Sequence, residues 1–376
     1  MTAAISLKSA FGAAGDGIAD DTAALQAALD AGREVMVEPG TYRCRQLYLR
    51  HGSSLAGTSR TGCVLKLSDD SHCNFLTHQP GMRCDDVSIS RLTIDGNWSG
   101  YDNAWNMVRP YNPFDPAPSG PGNHYGDGVV IDGVSAKLRD LTIQNVAGTG
   151  LHTKGSSDTW RLAGITPHLQ NIVISQTKGH GWIHDGPSDI WADSIYPVNS
   201  SLGALHGYVG VLIRSNGRFT NLHPYNLSNT NIVASAGAHV ASSGNNFSNC
   251  HFEGGHTALV VSGHSNTFDA STIYAPRGDT LAIVSGSLNR LNAVLLGSPG
   301  KRGVDLGGSY CTIDITDNGC EAGGVNFVPG AAGNIVRSRG YHSGAGYSGT
   351  PDPSSEVDIL IGSASVNSRL RQLAAT

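Results

Sequence analysis

Charge is scarce in this chain of 376 residues: Asp, Glu, Lys and Arg make up 15% of it, and the formal net charge is −5. No basic run of the kind that holds nucleic acid occurs, so no nucleic-acid partner is expected. Long apolar runs are also missing. None approaches the ~18 residues of a membrane helix, so no membrane partner is expected. The opening, MTAAISLKSA, lacks the apolar core of a secretory leader, which predicts cytoplasmic synthesis with release by virion-tail assembly or lysis. The seven cysteines (Cys44, Cys63, Cys73, Cys84, Cys250, Cys311 and Cys320) include no CxxC pair. That argues against a zinc knuckle or a disulfide framework and for buried, reduced thiols. Nothing in the pattern calls for a cofactor or a metal.

Glycine is what the chain has in quantity, at 49 residues, with Asn, Ser and Thr between short Val/Ile/Leu runs. This is the composition of an all-β protein rich in turns. One phrase recurs: GDGVVIDG (126–133), GTGLHTKG (148–155) and GHGWIHDG (179–186). Its closing glycine continues as a marker through Gly217, Gly244, Gly263, Gly286, Gly308 and Gly330, at spacings of 22, 31, 31, 27, 19, 23, 22 and 22. A repeat near 22 residues with a few insertions indicates a solenoid. Second strands such as RLTIDGN (91–97), DLTIQN (140–145) and NIVISQ (171–176) fall between the markers, and no L-x-x-L-x-L pattern accompanies them. The reading is a right-handed parallel β-helix.

Alternation within the phrase sends Val129/Ile131, Leu151/Thr153 and Trp182/His184 inward. It sends Val130/Asp132, His152/Lys154 and Ile183/Asp185 outward, where stacking makes columns. One column is Asp132, Lys154, Asp185 and Asn216; its neighbour is Val130, His152, Ile183 and Arg214; a third, at the leading turn, is Asp127, Thr149 and His180.

The first 70 residues carry a family resemblance. AFGAAGDGIADDTAALQAALDAG (10–32), VMVEPGTY (35–42) and LYLRHGSSLAGTSRTGCVLKL (47–67) resemble the amino-terminal signature of the pectate-lyase-like β-helix superfamily. The resemblance implies a capping segment over 1–35, with a short helix closing the barrel, then a β-helix over 36–376, and a carbohydrate-related role. The residues agree: Asp20 and Asp21 can cap a helix whose Ala24, Leu25, Ala28 and Leu29 form one apolar stripe. Asp127-Gly128 and Gly179-His180-Gly181, with Arg214 one coil on, also resemble the polygalacturonase branch. Gly148-Thr149-Gly150 stands where that branch has its paired aspartate, and no lysine accompanies Arg214. The location of a site carries over, and the branch's general acid does not.

Glycosidic hydrolysis needs two carboxyl groups. Asp132 and Asp185, two coils apart with Lys154 between them, are roughly 10 Å apart by strand spacing, near an inverting pair. A surface ladder of alternating charge is the plainer explanation of the same residues. Asp127 is a further carboxylate candidate. His180 and His152 are candidate proton carriers. Two insertions flank these coils: 97–125, with Trp98, Tyr101, Trp105 and Tyr125, and 187–208, with Trp191. Aromatic faces in a polar groove suit sugar rings. HFEGGH (251–256) sets His251 and Glu253 on one face of a strand, a spacing too common to name a metal site by itself.

The leading expectation is a glycoside hydrolase with paired aspartates, acting on a polysaccharide or oligosaccharide. A polysaccharide lyase is the alternative, with Lys154 or His152 as base and Arg214 against the uronate carboxylate. A glycan-binding phage tailspike segment without catalysis is the third. Phage members of the fold assemble as trimers, which makes a homotrimer an expectation too.

Overall fold

The computed structural model describes residues 5–69, 71, 73–97, 126–155, 166–200, 209–225, 235–274, 276–298, 300–341, 347–362 and 367–372. The chain divides into two compact units, Met1–Tyr208 and Val209–Thr376. Both are built of parallel strands that return to the same line once per coil.

The first unit opens with two short helices, Leu7–Phe11 and Thr22–Asp30. Leu25, Ala28 and Leu29 of the second are buried. The expected double cap is divided between two tasks. The Asp20 carboxylate accepts the Thr22 N–H at 3.0 Å, whereas the Asp21 carboxylate turns back to the N–H groups of Ala14 (2.7 Å) and Gly15 (3.0 Å). The helix closes a sheet edge through Gln26. Its side-chain amide donates to the Tyr48 carbonyl (2.9 Å) and accepts from the Tyr48 N–H (2.8 Å). Tyr48 belongs to Leu47–Leu49, the terminal strand of its sheet. One side chain thus replaces the bonds a further coil would make, as a solenoid end requires.

Two sheets run through this unit. In the longer-stranded one, Leu92 pairs with Leu141, Leu141 with Ile172 and Ile172 with Ile195. All four are buried, each contributing about 1.5–3 kcal/mol by leaving water. Just before them, Arg91, Asp140, Asn171 and Ser194 form a column at φ of 53°, 53°, 52° and 58°. This left-handed residue bends every strand at the same point; short polar side chains tolerate it best. In the shorter-stranded sheet, Leu47 pairs with Leu76, Leu76 with Val129, Val129 with Leu151 and Leu151 with Trp182. Both sheets keep register on either side of residues 98–125.

Part of the second expected insertion is ordinary coil. Within 187–208, Ile190–Val198 is a strand of the longer sheet, in register with His168–Thr177. Its Ile195 and Pro197 continue the inward columns.

The second unit repeats the two-sheet plan, with registers such as Ala238 to Leu259, Leu259 to Ala282 and Ala282 to Val304. Phe219, Phe247 and Phe268 stack inside it at centroid distances of 4.7 and 4.5 Å. A buried asparagine ladder runs along one corner. The side-chain oxygens of Asn245, Asn266 and Asn289 accept the N–H groups of Gly217, Asn245 and Asn266, each at 2.9 Å. Gly263, Gly286 and Gly308 stack so closely that an added Cβ would run into the carbonyl oxygen of Ser242, Gly263 or Gly286. Gly217 and Gly244 hold a different place. They follow Ile213 and Val240 by four residues, whereas Gly263 and Gly286 follow the aligned Val261 and Val284 by two. The glycine marker therefore joins two corner positions. The antiparallel strand Asn367–Gln372 pairs with Glu356–Gly362.

Candidate active site

The three phrases are successive strands of the shorter sheet, in the expected register: Val130 to His152 to Ile183, Ile131 to Thr153 to His184, and Asp132 to Lys154. The inward side is closed and bonded. Trp182 is fully buried, and its indole N–H donates to Thr153 Oγ1 at 3.3 Å. The same hydroxyl bonds His184 Nδ1 at 2.9 Å. His184 is thus an interior histidine that steadies the coil.

The outward side departs from expectation. Val130, His152 and Ile183 are all buried. Strand alternation gives the direction of a side chain relative to the barrel, and says nothing of what covers it. His180 and Thr149, expected at an open turn, are buried as well. Only Asp132, Lys154 and Asp185 remain half-exposed.

The G-x-G openings explain how the third column forms. Gly128 N–H donates to Thr149 O, and Gly150 N–H to His180 O, both at 3.0 Å. The coils approach so closely that a Cβ on Gly148 would strike the Asp127 carboxylate. The glycines leave room, and the middle residue of each triplet supplies the chemistry. The column extends one coil upstream to a residue the sequence reading missed, Asn74. Its side-chain oxygen accepts the Asp127 N–H at 3.2 Å. The signal was present: Asn74 precedes Leu76 by two residues, as Asp127 precedes Val129, but without flanking glycines.

Three ionisable groups from these columns meet. His152 Nε2 lies 2.8 Å from Asp185 Oδ2, and His152 Nδ1 lies 3.9 Å from Asp127 Oδ2. Asp127 is aimed by the Thr149 N–H, which donates to its Oδ1 at 2.8 Å. Asp127 and His152 are buried, with side-chain exposures of 4% and 3%, and Asp185 at the end of the row is 26% exposed. The charge ladder is not realised as ion pairs: among the described residues none joins Lys154 to Asp132 or Asp185, and Asp185 turns to His152 instead. An arrangement with two carboxylates on one imidazole, open at one end, can accept and store a proton.

No family model matches the chain. Two curated relatives, both from Azotobacter vinelandii, match parts of it. Mannuronan C5-epimerase AlgE4 is 32% identical over 155 residues, 36% of this chain. Mannuronan C5-epimerase AlgE6 is 37% identical over 103 residues, 23% of this chain. The matches span only 24% and 12% of those proteins. Among solved structures, the pre-mature bacteriophage phi29 gene product 12 superposes over 99% of this chain and 58% of its own, with a TM-score of 0.59 and 16% identity. The AlgE6 A-module superposes over 95% of this chain and 99% of its own, with a TM-score of 0.56 and 16% identity. The fold is a parallel β-helix.

Within this β-helix the remaining expected residues fall in three places. Trp191 is exposed in the longer sheet, tilted against His168 at 5.8 Å, and so belongs to a different sheet from His152. Arg214 lies in the second unit near His239, whose basicity is lowered first by burial and then by the Arg214 charge. Trp98, Tyr101, Trp105 and Tyr125, with the rest of 98–125, lie outside the described residues. One group of metal-ligating side chains occurs among the described residues, His223, His251 and Glu253, also in the second unit.

Proposed function

We propose that this β-helix is a carbohydrate-active enzyme that works by proton transfer at Asp185 on a polysaccharide containing uronate. The observation that carries the reading is that Asp185 is partly exposed while its partners in the row, His152 and Asp127, are buried. Asp185 is the member substrate can reach. His152 and Asp127 are positioning residues behind it. In a uronate the proton on the carbon bearing the carboxylate is the acidic one. Asp185 takes that proton, and the electron pair left behind delocalises into the uronate carboxyl group. Lys154, adjacent in the same column, offers a positive charge where the negative charge grows. The proton held at Asp185 is shared along the short bond to His152, and Asp127 faces the far ring nitrogen. Delivery of a proton from solvent to the opposite face inverts the carbon and leaves the abstracted proton on Asp185 to pass to solvent. Departure of the neighbouring glycosidic oxygen, which takes up a solvent proton as its bond to carbon breaks, gives elimination instead. The two partial relatives are named for epimerising mannuronan, a uronate polymer, which supports the substrate class.

Hydrolysis is the second reading, and one observation favours it. Asp132 pairs with Lys154, and Asp185 directly follows His184, the partner of Thr153, so two strand spacings separate the carboxylates by roughly 10 Å, close to an inverting pair. Against it, Asp185 is already engaged by His152.

The test is incubation with polymannuronate, polygalacturonate and neutral glucans, followed by three readouts. Ultraviolet absorbance reports unsaturated ends, a reducing-sugar assay reports chain breaks, and proton NMR reports configuration at the carboxyl-bearing carbon. Unsaturated products or inverted carbons from a polyuronate are expected. New reducing ends without absorbance would transfer the assignment to the hydrolase. Absence of any product from polyuronates would overturn the proposal.

A further inference from the structure

A second constellation lies in the other unit, and the phrase repeat does not include it. His223 belongs to one coil, and His251 and Glu253 to the next. The coils are tied by His251 N–H to Leu222 O at 2.9 Å and Glu253 N–H to Pro224 O at 3.2 Å. This register sets the two imidazoles face to face, with centroids 4.3 Å apart and planes 5° from parallel. Glu253 reaches both. Its Oε1 is 3.8 Å from His223 Nε2, and its Oε2 is 3.7 Å from His251 Nε2. Neither distance is a hydrogen bond. His251 Nε2 is buried and makes no hydrogen bond. The three ligand atoms lie within 4.8 Å of one another. Tyr225, tilted on His223 at 4.7 Å, and Tyr274, edge-on to His251 at 6.5 Å, wall the pair with rings.

We propose that His223, His251 and Glu253 form a binding site for one divalent cation of the zinc class, bridging two successive coils. Donors at ~2.0–2.2 Å from a tetrahedral ion stand roughly 3.4 Å from each other, so the nitrogen–oxygen separations need to close by only a few tenths of an ångström. The rings converge on the ion by turning about χ2. Two imidazoles and one carboxylate are the donor set of zinc and its first-row neighbours; calcium and magnesium prefer all-oxygen shells. Three protein ligands leave a fourth position for water or a ligand. The sequence hinted at half of this, in His251 and Glu253 two residues apart. His223 was invisible because its partner is 28 residues away and becomes a neighbour only through the coil register.

The full chain, stripped with a chelator, is titrated with Co²⁺ and then Zn²⁺. One equivalent of Co²⁺ giving visible d–d bands, displaced by Zn²⁺, is expected, together with a rise in melting temperature. His251→Phe keeps a stacked ring and removes the ligand atom, and Glu253→Gln removes the charge. Each is expected to weaken Co²⁺ binding more than tenfold and to abolish the thermal shift, with an unchanged circular-dichroism spectrum. Stoichiometric binding that persists in folded variants would overturn the site, as would the absence of a bound equivalent in the parent. Should His251→Phe fail to fold, Glu253→Gln decides alone. None of the three residues belongs to the Asp127–His152–Asp185 row, so polysaccharide turnover reports on that row separately.

Discussion

Asp185 ends a row of contacting ionisable groups, Asp127, His152 and Asp185, drawn from three coils of the phrase strands, so replacing it separates chemistry from scaffolding. Asp185→Asn touches no inward column, and the fold is expected to persist. Turnover is expected to drop at least ~10²-fold, the low end of what one acid or base supplies, while substrate still binds. A residue serving only as surface charge would instead change stability by less than about 1 kcal/mol and leave the rate near normal. Melting temperature and rate on the same variant decide between these. Asp127→Asn tests positioning. The amide oxygen can still accept from Thr149, but the charge 3.9 Å from His152 is gone. Its expected signature is a displaced pH–rate profile with little change in KM; an unmoved profile would remove Asp127 from the row. At this scale the shared frame was enough to bring Asp127, Asp132, His152, Lys154, His180 and Asp185 to one region. The pairing of His152 with Asp185 was not legible, because column stacking orders residues along the sheet without showing which neighbour a side chain turns toward.

Elements hold by stacking like on like. The interior Phe219–Phe247–Phe268 stack and the Asn245–Asn266–Asn289 ladder each place one residue per coil. Asn266→Ala removes the acceptor of the Asn245 N–H at 2.9 Å and one of two acceptors of the Asn245 side-chain amide, at 2.8 Å, leaving that amide its bond to Ser242 Oγ. The buried orphan N–H costs about 1–3 kcal/mol, so a clear loss in urea denaturation is expected. Phe247→Ala should cost about 3–5 kcal/mol through its cavity. Asn246→Ala, exposed one residue from the ladder, serves as a near-neutral control; equal losses for Asn246 and Asn266 would refute the ladder's role. The apolar columns were readable because they recur several times per coil. The ladder was not, since one asparagine per coil is a sparse signal among many turn residues. The glycine marker blurred the corners for a related reason: both tight stacking and left-handed turns select glycine.

Over the whole chain no covalent link assists this arrangement: all seven cysteines are free. Six are buried, and Cys73 is half-exposed. Burial pushes the Cys84 and Cys250 thiols up to about 12, and raises those of Cys44, Cys73, Cys311 and Cys320 as well. The thiolate is the reactive species, so a raised thiol is doubly protected, by access and by charge. At pH 8 the native chain is therefore expected to yield at most one slowly reacting thiol to an aromatic disulfide reagent, and all seven after denaturation. Reductant should leave the melting temperature unchanged. The thiols also report on how a solenoid opens. Coils contact chiefly their neighbours, so local opening need not unfold the rest. Cys44 and Cys63 lie in the first unit and Cys311 and Cys320 in the second. If the two units open separately in moderate urea, labelling read by peptide mass will expose one pair before the other. Simultaneous exposure of both pairs at every urea concentration would mean that the chain unfolds as one cooperative body, and would exclude coil-by-coil opening.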